Sequence, residues 1–136
     1  VDEQFLVRAR DYRAKGYNCA QAVACAFLPL LSIDEIMLYK LTEGFGGGMG
    51  GAAGTCGAIS GAIAAASLSI SSGSIAESTK SATYSVSKEI FDTFVEKNKS
   101  SICKELRGLE NGIELRSCLG CIEDAVAIAQ QALGIE

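Results

Sequence analysis

GFGGGMGGAAGTCGAISG, residues Gly44 to Gly61, is a glycine loop that empties into a helix. Its nine glycines remove most side-chain bulk. Backbone can therefore approach backbone or a ligand closely, and positive φ is open at nearly every step. Thr55 reads as an N-cap and Cys56 as the first helical residue, its sulfur beside unpaired N–H groups and the positive end of the helix dipole. A thiolate is stabilised in such a place. Gly57, Gly61 and Ala65 then recur every four residues, a small-residue stripe along which another helix can pack at short distance. The helix from Cys56 to about Ser72 is accordingly expected at the centre of the fold.

The flanking segments read as helices too. Phe5, Leu6, Ala9 and Tyr12 give Val1 to Lys15 an apolar stripe that Gly16 ends, with Arg8, Arg10, Asp11 and Arg13 as a solvated face. Asn18 and Gln21 form a capping box that puts Cys19 at the start of a nearly all-apolar helix running to Leu28, where Pro29 stops it. Ser32 with Glu35 and Ser74 with Glu77 predict two more capping boxes. The first leads a short helix along Ile33, Met37 and Leu41, the second a long one along Ala82, Val86, Ile90 and Phe94. SSICKELRG is a short helical turn with Cys103 near its start, Gly108 to Gly112 is loop, and Ser117 caps a last helix carrying Cys118 and Cys121. Period-two alternation occurs only at Ser67 to Ser71, inside a better helical pattern. The reading is all-α: one compact domain, 1–136, of five to seven helices around the Gly/Ala-rich helix starting at Cys56.

Composition narrows the function. A chain of 136 residues, 49% hydrophobic and 21% charged, can build one core without covalent staples. A formal charge of -4 without any run of Lys or Arg argues against nucleic acid. Residues 44 to 76 are uncharged but made largely of Gly, Ala and Ser, too weakly apolar for a membrane span. Val1 to Lys15 lacks a signal-peptide pattern, so a cytoplasmic setting is expected. Six cysteines in a reducing compartment serve metal or redox chemistry more often than a disulfide framework. With no histidine, any chemistry rests on sulfur, carboxylate, hydroxyl, amine or backbone. So wide an apolar centre on so short a chain also points to a homodimer.

Cys19, Cys56, Cys103 and Cys118 share one local context, each falling in the first turn of an expected helix. If these ends converge, their N–H groups would stabilise thiolates or an anionic sulfur cluster. Cys25 lies two turns deeper and reads as a small core hydrophobe. Cys118-Leu-Gly-Cys121 is a C-x-x-C motif, but neither the βαβ context of a thioredoxin nor the second C-x-x-C of a zinc ribbon accompanies it. Cys121 shares the face of Cys118 and could replace it as ligand or act as resolving thiol. Gly46 to Gly51 matches G-x-G-x-x-G without a preceding strand or a P-loop lysine, so a nucleotide is not expected. Instead Gly46, Gly47, Gly48, Gly50 and Thr55 are assigned to closing backbone over a cluster or thiolate.

GYNCAQAV, GFGGGMGGAAGTCGAISGA, SSICKELRG and CLGCIEDA together resemble the C_GCAxxG_C_C family, labelled redox-active, over nearly the whole chain. Here the central motif reads Cys-Gly-Ala-x-x-Gly, with cysteine ahead of glycine. By position Cys19, Cys56, Cys103 and Cys118 look like the family cysteines, with Cys25 and Cys121 as additions. The resemblance implies redox activity or an iron–sulfur-type site and names no substrate or redox partner. The leading expectation is an iron–sulfur cluster on Cys19, Cys56, Cys103 and Cys118, serving electron transfer. Two alternatives stand beside it: a thiol–disulfide protein using Cys56 or Cys118 with Cys121 among the candidate redox thiols, and a module with structural zinc or no cofactor.

Overall fold

The computed structural model describes residues 2–135, and the expected helix start at Val1 lies outside them. Asp2 accepts from the Gln4 N–H to cap α1, Glu3–Ala14, and Gly16 at φ +105° turns the chain away. Asn18 and Gln21 form the expected reciprocal capping box on α2, Cys19–Cys25, every residue of which is buried. Pro29 lies in a short 3-10 turn, Leu28–Leu30. The next helix, α3, spans Glu35–Thr42 and is capped by Asp34, not Ser32, through the Met37 N–H. Asp caps as well as Ser does, and Asp34 has the extended backbone directly before the helix.

A 3-10 turn, Glu43–Phe45, leads to α4, Gly46–Met49, which is less a helix than a glycine coil: Gly47 and Gly48 both take left-handed φ, +64° and +65°. The central helix α5, Gly57–Ile70, begins one residue later than expected, with Cys56 itself in the N-cap position. Residues 71–79 do not cap a helix at Ser74. The Ser72 hydroxyl instead donates to the Glu77 carbonyl while Thr79 Oγ1 accepts from the Ser72 N–H, so hydroxyls compete for backbone and close a loop. The long helix α6 is therefore Lys80–Asn98 and ends on Lys99 at φ +71°. The short α7 is Cys103–Arg107, and Ser117 caps α8, Cys118–Ala132, through the Gly120 N–H.

Seven regular helices and the glycine coil thus make an all-α domain, and among the described residues the extended pairing is a lone bridge between Thr55 and Ile102. The centre is α5, packed on α2, α6 and α8, with α1 closing over α2 and α8. Its glycine stripe is what lets α2 come so near: a Cβ on Gly61 would stand 2.4 Å from the Ala20 carbonyl oxygen. Phe27, Ile59, Ile90, Phe94, Ile122 and Val126 are fully or almost fully buried in the main core. Cys25 lies apart from it with Ala24 and Leu38, in a smaller cluster between α2 and α3. Among the described residues, no helix is long and apolar enough to cross a membrane.

Candidate functional site

Close approach of α2 and α5 brings their cysteine-bearing ends together. Cys19, Cys56, Cys103, Cys118 and Cys121 line one cavity of about 220 Å³, with Arg13, Asn18, Gly47, Leu106 and Arg107 completing its wall. All five cysteines are unbridged, and Cys118 alone among them is more than slightly exposed. Cys25 contributes nothing here.

The glycine coil holds these sulfurs in place. Gly48 lies so close to α7 that a Cβ would meet Cys103 Cβ at 2.4 Å, and Gly47 shares the cavity wall with Cys19, whose thiol its amide helps to lower. Gly46 backs against Asn18, where a Cβ would fall 2.3 Å from Nδ2. Gly50 and Thr55, assigned to the site from sequence, do not reach the cavity. Gly50 ends the coil at φ +87° with nothing near it, and Thr55 lines a separate apolar groove with Leu41, Phe45, Met49 and Phe91. The loop after the coil is stitched to α7: Cys103 N–H donates to the Gly54 carbonyl at 3.0 Å, Lys104 N–H to Ala52 at 2.8 Å, and Cys56 N–H to Ser101 at 2.7 Å.

A buried carboxylate fixes the other side. Asp124, 5% exposed, accepts from Arg116 Nε and Nη2 (2.9 and 3.1 Å), Lys97 Nζ (2.6 Å) and Asn98 Nδ2 (3.2 Å). Burial alone would raise its carboxyl, but Arg116, Lys97 and Asn98 outweigh that and hold it below the usual range. The bond from Arg116 anchors the chain just before the Ser117 cap, and so the turn bearing Cys118 and Cys121.

Helix starts do not make thiolates of all four expected cysteines. Cys19 is lowered to about 6, first by a hydrogen bond from the Cys118 thiol, against burial, then by the Gly47 and Ala20 amides and Arg13. Cys56 is lowered chiefly by the Cys121 thiol. The Ala58 and Ile59 amides add to this, although neither closes a capping hydrogen bond to the sulfur. Cys118 and Cys121 move up, because each keeps the proton it shares with its partner. Burial raises Cys103 despite Arg107 beside it. The helix start does not offset that burial, because the Cys103 and Lys104 N–H groups already donate to the Gly54 and Ala52 carbonyls.

Two contributors were missed in the sequence. Arg13, read there as part of a solvated face, turns inward to the Tyr17 carbonyl (3.2 Å) and the Cys118 sulfur (3.9 Å). Arg107 stands four residues after Cys103, a spacing that puts both on one helical face and could have marked it.

These features define a small all-helical protein built around a cavity of five thiols and two guanidinium groups. The chain belongs to the C_GCAxxG_C_C family: the description "Putative redox-active protein (C_GCAxxG_C_C)" matches residues 17–132. No curated protein and no solved structure matches it.

Proposed function

We propose that the protein binds an iron–sulfur-type cluster in this cavity and passes electrons to a partner protein, as a cytoplasmic redox component. The observation that carries the reading is the gathering of Cys19, Cys56, Cys103 and Cys118, from four separate segments, onto one cavity wall. Among the described residues no group of three or more His, Cys, Asp or Glu is disposed to hold a single metal ion. A structural zinc would need four donors converging at about 2.0–2.3 Å on one point. Sulfurs spread around about 220 Å³ suit a group of several atoms better.

Cysteine thiolates are the donors that such a group takes, and five thiols line this cavity. Cys19, Cys56, Cys103 and Cys118 would hold it, with Cys121 facing the same space. A bound cluster would supply one-electron chemistry. The chain's part is to gather the thiolates, to offset their charge with Arg13 and Arg107, to offer the Gly47 amide to sulfur, and to limit water through Leu106 and the glycine coil. Anaerobic reconstitution with iron and sulfide tests this. Stoichiometric iron and sulfide with visible charge-transfer bands are expected, abolished in Cys19→Ser and Cys56→Ser. In Cys118→Ser partial binding is expected, because Cys121 can substitute. Full binding without Cys56 rules the assignment out.

A further inference from the structure

The chain has no tryptophan and four tyrosines, and three of the four meet in one place. Tyr12 of α1 stacks on Tyr17 with ring centroids 4.7 Å apart, and Tyr39 of α3 meets Tyr17 in a T-shaped contact at 4.9 Å. Both phenols of the stacked pair donate to one carboxylate at the start of α3. Tyr12 reaches Glu35 Oε1 at 3.0 Å and Tyr17 reaches Oε2 at 2.5 Å. The fourth tyrosine, Tyr84, stands 66% exposed on α6. The group abuts the thiol cavity. Only Asn18 separates Tyr17 from Cys19, so their Cα atoms lie at most about 7.6 Å apart. Arg13 joins the two places a second time, donating from Nη1 to the Tyr17 carbonyl (3.2 Å) and from Nη2 to the Cys118 sulfur (3.9 Å).

A phenol that gives up an electron must also shed its proton, so it relays electrons best with a base in hydrogen-bond reach. An ionised carboxylate, which can only accept, is such a base. Lys15 stands 5.5 Å over the Tyr12 ring, and its charge opposes an electron deficit there, which leaves that deficit to Tyr17. We propose that Tyr17 is a redox-active tyrosine that draws a one-electron oxidising equivalent out of the thiol cavity, with Glu35 as its proton acceptor. The equivalent is a thiyl radical at Cys19, formed by a one-electron oxidant. One electron passes from the Tyr17 phenol to the Cys19 sulfur, which becomes a thiolate, while the phenolic proton moves along the hydrogen bond to Glu35. A phenoxyl radical and a neutral carboxyl remain. A small reductant reaching half-buried Tyr17 then restores the electron, and Glu35 gives back the proton.

The route needs the thiols and no cluster, so iron reconstitution and the following experiment fail independently. The reduced, metal-free protein is oxidised by azide radicals in pulse radiolysis, and phenoxyl is followed by transient absorbance and by electron paramagnetic resonance after freeze-quenching. Direct hits on tyrosine give a prompt signal. Expected beyond it is a slower rise as the sulfur radical decays, with the trapped radical on Tyr17. The slow rise should vanish in Tyr17→Phe and in Cys19→Ser and persist in Tyr84→Phe. Glu35→Gln keeps an acceptor for a phenol but is no base, and should slow the rise by about tenfold or more. Circular dichroism shows whether each variant keeps its helices, and Glu35→Gln carries the test if Tyr17→Phe does not. Absence of a slow rise in the parent, its survival in Tyr17→Phe, or an unchanged rate in Glu35→Gln overturns the proposal and leaves Glu35 a tether between α1 and α3.

Discussion

Gly57 leaves no room for a side chain beside Cys19: a Cβ there would lie 2.4 Å from Cys19 Sγ and 2.9 Å from the Phe45 carbonyl oxygen. Helix propensity alone would make Gly57→Ala stabilising by about 1 kcal/mol. The clash decides the sign, since overpacking a tight site costs about 1–3 kcal/mol. Gly57→Ala should lower stability in denaturant unfolding and alter Cys19 alkylation. Gly51→Ala, at a position with nothing within 4 Å and no positive φ, should do neither.

The coil makes a sharper distinction. Gly47 faces open space but has φ +64°, whereas Gly48 combines φ +65° with the contact on Cys103. A β-branched residue at either is strained by about 1–3 kcal/mol. Gly47→Val should mainly move the amide off Cys19, and Gly48→Val should displace Cys103 as well. Iron retention after reconstitution and thiol reactivity should fall more than the unfolding midpoint does. Unaltered values for both would reduce the glycines to a linker.

What the sequence disclosed follows from how local each signal is. The capping pairs Asn18/Gln21 and Ser117/Gly120 act within three residues, and the small-residue stripe of α5 is a property of one helix, so both were legible. At Ser32 and Ser74 competing caps and hydroxyl–backbone bonds lay within a few residues, and composition could not rank them. Arg13 stayed hidden because its inward turn depends on α8 arriving against α1, a contact 105 residues away in the chain. Cys103 misled for the opposite reason. Its place in a first turn was right, but its amide was already taken by Gly54.

Asp124 should be the most sensitive polar side chain of the core. Removing one partner of a buried ion pair costs about 3–5 kcal/mol when the remaining charge is trapped. Here Lys97 and Arg116 are 56% and 37% exposed and can be rehydrated. Asp124→Ala should therefore cost less, about 2–3 kcal/mol, in urea unfolding. Since the folded carboxyl is held below its ordinary value, its contribution is complete above about pH 4 and is lost as pH falls through the lowered folded value. The variant should lack this acid-side loss, whereas an acid limb identical to the parent's would mean the carboxylate contributes nothing to it.

The last prediction concerns the Cys19 thiolate in the reduced, metal-free protein. Its value of about 6 rests first on the hydrogen bond from Cys118. The rate of Cys19 alkylation should accordingly rise through a midpoint near pH 6. An ordinary thiol would titrate near about 8.5. Because the folded value is depressed, the stability linked to this thiolate is complete above the unfolded value and is lost as pH falls through about 6. Cys118→Ala removes the donor and should move the midpoint up toward the ordinary thiol range. Cys25→Ala alters a sulfur outside the cavity, raised by burial and by Glu35, and should leave the midpoint where it is. Site-resolved alkylation followed by mass spectrometry separates the two variants. A midpoint unmoved by Cys118→Ala would show that the Gly47 and Ala20 amides and Arg13 hold the thiolate without Cys118.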